Sequence, residues 1–341
     1  MKKYKIAVVG ATGAVGIEMI KMLESRRNFS VESIKFFASQ RSVGKKLIYN
    51  GKEIVVELLR EDSGKGIDIA LFSAGATVSE KFAPFFTADN CFVVDNSSAW
   101  RMDKDVPLVV PEVNAYELKK DRKLIANPNC STIQMVVALK PLHDFAKIKR
   151  VIVSTYQSVS GAGQNGINEL SEQVKAWAIE GQQPIVANKF QYQIAFNLIP
   201  QIDVFTENGY TKEEMKMTNE TKKIMGDCSI EVSATCVRVP VFRSHSESIW
   251  IETERPLSPS KAKELLSATD GIQLLDEPEN KKYPMPLFAE NMQTTYIGRI
   301  RSDISTKNNA LTFWVVSDNL LKGAALNAVQ IAETLIKNKL V

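Results

Sequence analysis

The sequence predicts an α/β protein: a doubly wound parallel sheet first, a second α+β domain after it, and a last helix that returns to the first domain. Three observations carry this. Residues 5–25 read as a buried strand (KIAVVG), a glycine turn (GATGAVG) and an amphipathic helix (IEMIKMLES). Strand-like apolar runs then alternate with helical patterns as far as residue 127, the order that builds a parallel sheet. Near the end, ALTFWVVSDNLLKGAALNAVQIAETLIK (310–337) is a strand, an Asp-Asn turn and a long helix with no further strand to join. At 341 residues the chain exceeds the roughly 250–300 at which one core stops growing, so two domains are expected. The boundaries read as 1–128, 129–317 and a C-terminal helix segment 318–341.

Composition narrows the function. A formal charge of +4, with Lys and Arg spread among 39 acids, gives no stripe for nucleic acid, although single cations can still grip a small anion. No apolar stretch is long enough to span a bilayer, and IAVV near the start is too short for a signal-peptide core, so a cytoplasmic protein without membrane partners is expected. Cys91, Cys130, Cys228 and Cys236 lack CxxC spacing and the chain has only two histidines, which argues against a disulfide framework and against a metal site.

The glycine turn comes first in the argument. Gly10, Gly13 and Gly16 follow G-x-x-G-x-x-G, a variant of the dinucleotide fingerprint of Rossmann-type sheets: the first allows the tight turn, the second lets backbone approach a pyrophosphate, the third lets helix pack on strand. Thr12, Ala14 and Val15 belong to the same turn, whose helix N-terminus meets phosphate. After the second strand, IKFFAS (34–39), no acid stands where an NAD enzyme would hold ribose hydroxyls; Ser39, Arg41 and Ser42 stand there, which suits the 2′-phosphate of NADP, the other reading of Arg41 being a solvated loop charge. Strands IDIALFS (67–73) and CFVVDNS (91–97) flank a helix at about 78–86 with a Thr77-to-Glu80 capping pattern. The loops after them, Ser73 to Gly75 and Asn96 to Arg101, fall at the ligand-binding carboxyl edge.

Strand KLIAN (123–127) runs into PNC and then an apolar-periodic helix that begins near Ser131, so Cys130 lies at a helix N-terminus. The dipole and unpaired N–H groups there favour a thiolate and can face an oxyanion; the alternative is a buried cap-region thiol. His143 ends that helix, where a cation suits the dipole, which leaves His245, in a polar turn between strands 229–239 and 248–254, as the acid/base candidate. Cys91 opens a strand and Cys228 and Cys236 flank another, as small apolar residues do. Arg238 shares a strand face with Cys236 and either caps a surface or reaches for a carboxylate. Glu220 and Lys223 share a helix face, a spacing that by itself suits a surface ion pair. Gln157 ends a strand before the Ser160-Gly161-Ala162-Gly163 loop, which either brings backbone close to a flat or anionic group or is a flexible surface loop. With the last helix returning to the first domain, Asn319 is expected at the crevice between the domains.

Taken together, GATGAVG, SSAWR, NPNCST, TYQSVSGAG, ETKK, VRVPVFRSHSES and DNLLKGAA are similar in identity and order to the landmarks of the aspartate-semialdehyde dehydrogenase family, from residue 5 to the last. The resemblance implies NADP-dependent reduction of aspartyl β-phosphate to the β-semialdehyde, a step toward lysine, methionine and threonine, by a homodimer built through the second domain. Carried over, Cys130 is the nucleophile, His245 the acid/base, and Gln157 orients the acyl centre. Arg238 holds the α-carboxylate and Glu220 the ammonium, while Arg101 and Lys223 bind phosphate. Gly10, Thr12, Gly13, Ala14, Val15, Gly16, Ser39, Arg41, Ser42, Ser73, Gly75, Ser160, Gly161 and Asn319 form the cofactor site. Rival readings are an N-acetylglutamyl-phosphate reductase, disfavoured by Glu220; a phosphorylating glyceraldehyde-phosphate dehydrogenase, whose SCTTN run is missing; and a non-catalytic NADP-sensing regulator, which has no need of Cys130 with His245.

Overall fold

The computed structural model describes residues 2–181 and 186–341. They form two compact units, one of residues up to Asn129 together with Ala324–Val341, the other Cys130–Gly323.

The first unit is built on a seven-stranded sheet. In chain order it contains β1 (Lys3–Val9), α1 (Ala14–Arg26), β2 (Ser30–Ala38), β3 (Lys46–Tyr49), β4 (Lys52–Leu58), β5 (Ile69–Phe72), α2 (Ala76–Ala88), β6 (Phe92–Asp95), α3 (Pro111–Asn114) and β7 (Leu124–Ala126). The sheet order β3-β4-β2-β1-β5-β6-β7 is parallel except at the β3/β4 edge. That antiparallel hairpin lies outside the strand–helix alternation, yet its signal is local: Asn50 and Gly51 both take positive φ, 48° and 74°, as a two-residue hairpin turn requires. The β5 and β6 strands are buried throughout, the mark of a sheet covered on both faces. On one face Phe86 of α2 meets Phe37 and Phe72 edge-on, at ring separations of 6.3 and 5.1 Å. The predicted Thr77 cap is displaced: α2 starts at Ala76 behind Gly75, which has φ 86°, and no side chain caps it. The last helix, α9, belongs to this unit; its range, Leu326–Lys337, packs on α1, and Arg26 forms a two-pronged ion pair with Glu333 at 2.6 and 2.8 Å.

The second unit contains α4 (Cys130–Ala146), β8 (Ile148–Gln157), α5 (Gln164–Glu180), α6 (Lys212–Met225), β9 (Glu231–Arg238), β10 (His245–Thr253), α7 (Pro259–Ser267), β11 (Ile272–Leu274), α8 (Pro286–Ala289), β12 (Thr295–Ser302) and β13 (Ala310–Ser317). Its six-stranded sheet, β11-β12-β13-β10-β8-β9, is mixed: β8/β9 and β11/β12 pair parallel, the others antiparallel. Alternation along β8 and β9 buries every second side chain, including Ala234, Cys236 and Arg238, as the sequence predicts. Two expectations are corrected here. His245 does not sit in a turn but opens β10, and Cys236 lies within β9, while Cys228 is exposed before it.

Candidate active site

The second unit gathers a polar cluster at one end of its sheet. The register pairs Gln157 of β8 with Arg238 of β9, and pairing of Ser246 with Tyr156 sets His245 beside Gln157. Three neighbouring strands thus end with Arg238, Gln157 and His245 in a row on the buried face, 6, 1 and 0% exposed. Over that sheet lies α4, which starts at Cys130 and packs on β8, β10, β12 and β13. Being the first residue of a 17-residue helix, Cys130 has the positive end of the dipole beside it. Gly323 lies directly against it: a Cβ at 323 would stand 2.8 Å from that of Cys130.

Each member of the row is held. Gln157 donates from Nε2 to Thr155 Oγ1 and to Glu213 Oε1, both at 3.3 Å. Arg238 donates from Nη1 to the Ser158 carbonyl at 2.7 Å. Burial lowers its pKa, while Glu213 and Cys130 are close enough to pull it back up. His245 accepts the Ser158 backbone N–H at Nδ1, 3.1 Å away, and its pKa lies well below the ordinary value through burial first and the Arg238 charge second. Gly161 lies against both: a side chain there would come within 2.9 Å of Arg238 Nη1 and 3.2 Å of His245 Nε2. Ser160 and Asn319 are buried and bond to each other, with Asn319 Nδ2 donating to Ser160 Oγ at 3.0 Å. Glu220 is 1% exposed and Lys223 is half-buried, one turn apart on α6. Burial of that glutamate is more than the surface pair suggested by spacing alone.

In the first unit, the turn after β1 has the geometry the glycine pattern asks for. Gly10 has φ 81°, and its N–H donates to the Phe37 carbonyl at 2.8 Å. A Cβ on Gly16 would lie 2.2 Å from the Gly10 carbonyl oxygen, so nothing larger fits between helix and strand. Gly13 is the N-cap of α1, followed by Ala14 and Val15 with no acid in the first turn, which leaves the helix N-terminus open to an anion. Thr12 Oγ1 donates to Ser42 Oγ at 3.1 Å and ties this turn to the Gln40–Ser42 turn behind β2, where Ser39 and Arg41 are exposed. Ser73 Oγ reaches the Val9 and Gly10 carbonyls, each at 3.4 Å, and Gly75 opens α2. Arg101 is 8% exposed and donates to the Asn127 carbonyl at 3.0 Å and the Asn96 carbonyl at 2.9 Å, two loops at the carboxyl edge of β6 and β7. The open N-terminus of α1 fits a nucleotide phosphate, and the bare β2 end, with a cation in place of an acid, fits a phosphorylated ribose.

Two family models match the chain: "Semialdehyde dehydrogenase, NAD binding domain" over residues 5–121 and "Semialdehyde dehydrogenase, dimerisation domain" over residues 139–322. The aspartate-semialdehyde dehydrogenase of Aquifex aeolicus is 58% identical over 341 residues, 99% of each chain. The chain belongs to the aspartate-semialdehyde dehydrogenase family. The structure of aspartate semialdehyde dehydrogenase II from Vibrio cholerae, complexed with ASA, superposes with a TM-score of 0.95 at 48% identity over 99% of both chains. The Candida albicans aspartate semialdehyde dehydrogenase with NADP gives 0.77 at 27% identity over the full length of both.

Within this aspartate-semialdehyde dehydrogenase fold, some supporting residues escaped the sequence reading. Glu213 and Glu214 open α6 and both turn inward: Glu213 accepts from Gln157 and from Lys216 Nζ at 3.2 Å, and Glu214 accepts the Cys236 N–H at 2.9 Å. Thr211 and Glu214 form a reciprocal capping box, a T-x-x-E signal that was available. Glu247, two residues beyond His245 on the same face of β10, is fully buried, with Gln134 of α4 as its polar side-chain neighbour. Burial raises its pKa well above the carboxylate range. Strand alternation alone marks Glu247 as inward-facing, but only the packing of α4 shows it to be sealed off.

Proposed function

We propose that this chain reduces L-aspartyl 4-phosphate to L-aspartate 4-semialdehyde with release of phosphate, using NADPH, through a thioester on Cys130, as a cytoplasmic enzyme of lysine, methionine and threonine biosynthesis. The observation that carries the reading is the row of Arg238, Gln157 and His245 on adjoining strand ends beneath the helix that begins at Cys130. Among the described residues no helix is long and apolar enough to cross a membrane.

Each charge of the substrate then has a partner. Arg238, a buried planar fork, holds the α-carboxylate, and buried Glu220 the ammonium. Arg101 and Lys223 hold the phosphate. Cys130 attacks the acyl carbon as thiolate, and the oxygen takes up the π pair; when that pair returns, phosphate leaves with its bonding electrons. Gln157, held by Glu213, orients the acyl group. When bound, NADPH supplies the hydride that reduces the thioester carbon. His245 assists collapse to aldehyde and free Cys130. In the first unit, Gly10, Thr12, Gly13, Ala14, Val15, Gly16, Ser39, Arg41, Ser42, Ser73 and Gly75 are assigned to the cofactor; in the second, Ser160, Gly161 and Asn319 are assigned to it. We assign 1–128 to cofactor binding, 129–317 to catalysis and dimerisation, and 318–341 to the returning helix. A homodimer is supported by the matched dimerisation model and by apolar surface at Trp177, Tyr192 and Phe196, which are 46, 69 and 59% exposed.

The test is NADPH formation from aspartate semialdehyde, NADP and phosphate, run beside N-acetylglutamate semialdehyde and glyceraldehyde 3-phosphate. Turnover with the first alone is expected. Preference for either of the others, or none for any, contradicts the reading.

A further inference from the structure

Ser158 ties together the two side chains on either side of it in the site. Fully buried just beyond β8, it accepts from Arg238 through its carbonyl at 2.7 Å and donates its N–H to His245 Nδ1 at 3.1 Å. Its hydroxyl lies 3.1 Å from the same ring nitrogen, 3.0 Å from Ser160 Oγ and 3.2 Å from Asn319 Oδ1. Asn319 closes the cluster, its Oδ1 accepting the Ser244 N–H at 2.9 Å and the Ser160 hydroxyl at 3.1 Å.

A backbone N–H can only donate. A ring nitrogen that accepts it carries a lone pair, so the neutral imidazole must keep its proton on the other nitrogen. The opposite tautomer would aim an Nδ1–H at the Ser158 N–H across 3.1 Å. The remaining nitrogen, Nε2, is buried, has no hydrogen-bond partner among the described residues, and has Gly161 beside it with no side chain to cover it.

We propose that Ser158, backed by Asn319, is the positioning residue that fixes His245 as its Nε2–H tautomer, so that the ring turns a hydrogen-bond donor toward the substrate oxygen. The backbone N–H selects the tautomer, and the hydroxyl, bound to Asn319, keeps that peptide in place. The proposal rests on the roles given above to Cys130 and His245. In electron terms, sulfur attack moves the π pair onto oxygen, Nε2–H stabilises that oxyanion, and return of the pair expels first phosphate and, after hydride addition, the Cys130 thiolate.

The chain has only two histidines, so ¹⁵N-histidine labelling reads the tautomer directly by two-bond nitrogen–proton correlation, with His143→Gln assigning the signals. In the resting wild type a lone-pair Nδ1 and a protonated Nε2 are expected for His245. Ser158→Ala, which deletes one oxygen, should show a mixed tautomer and lose about tenfold in kcat, the cost of one hydrogen bond, with little change in KM. Ser158→Thr, which returns the hydroxyl, should recover the wild-type signature and much of the rate. A protonated Nδ1 in wild-type enzyme that turns over overturns the inference, as does wild-type kcat and tautomer in Ser158→Ala. Failure of the functional reading would look different: wild type without turnover.

Discussion

At Cys130 one thiol is set apart from three others by position alone. Cys91 and Cys236 are fully buried and burial pushes their thiols far above the ordinary range, whereas Cys130 heads a helix and Cys228 is exposed. Cys130→Ala should therefore cut kcat by at least about 10⁴-fold while nucleotide still binds, and Cys91→Ala should turn over normally in the same assay. Comparable loss from both would remove the basis for choosing between them. Buried titrating groups give stability a pH dependence of mixed sign. Both histidines have pKa values lowered chiefly by burial, so the unfolded chain takes up protons first and stability falls as pH drops through about 6.5. Glu247 acts oppositely: its raised pKa gives stability that is full below about 4.5 and is lost as pH rises through the folded value. Glu247→Gln, which cannot ionise, should raise the thermal midpoint more at pH 8 than at pH 5; equal shifts would mean the carboxyl is not held neutral. Cys130 was legible from a turn and an apolar run, and Arg238 from strand alternation. Glu213 and Glu247 were not, because what matters about them is which distant elements seal them in.

Among the elements, α6 shows how local signals and long-range packing combine. Its capping box, its acids in the first turn, its lysines in the last and Gly226 at φ 65° all define a helix before any tertiary contact forms. Thr211→Ala should cost more than about 1 kcal/mol, the usual value for a lost threonine cap, in chemical denaturation, because the same box holds Glu214 against Cys236. At the β1–α1 turn, Gly16→Ala has no space, and loss of nucleotide binding is expected in calorimetry. The β1–α1 unit was legible since turn, strand and helix are contiguous. Strand order in the second sheet was not: β9, β8, β10 and β13 are neighbours only through pairings dozens of residues apart, and a single sequence carries no record of them.

For the whole chain, the first unit is made from two separated stretches, and α9 buries Leu326, Val329, Ile331 and Leu335 in it. Removing α9 should leave that unit unable to fold cooperatively, visible as a lost or broadened thermal transition. Light scattering should give a dimer, and Phe196→Glu, which puts charge into exposed apolar surface, should shift it toward monomer; an unchanged dimer would move the interface elsewhere. Everything proposed about activity converges on acylation of one sulfur. Mixing the enzyme with aspartate semialdehyde and NADP while withholding phosphate, then quenching and mapping peptides by mass spectrometry, should find an aspartyl group on Cys130 and on no other cysteine. NADPH formed under those conditions with Cys130 unmodified would contradict the account.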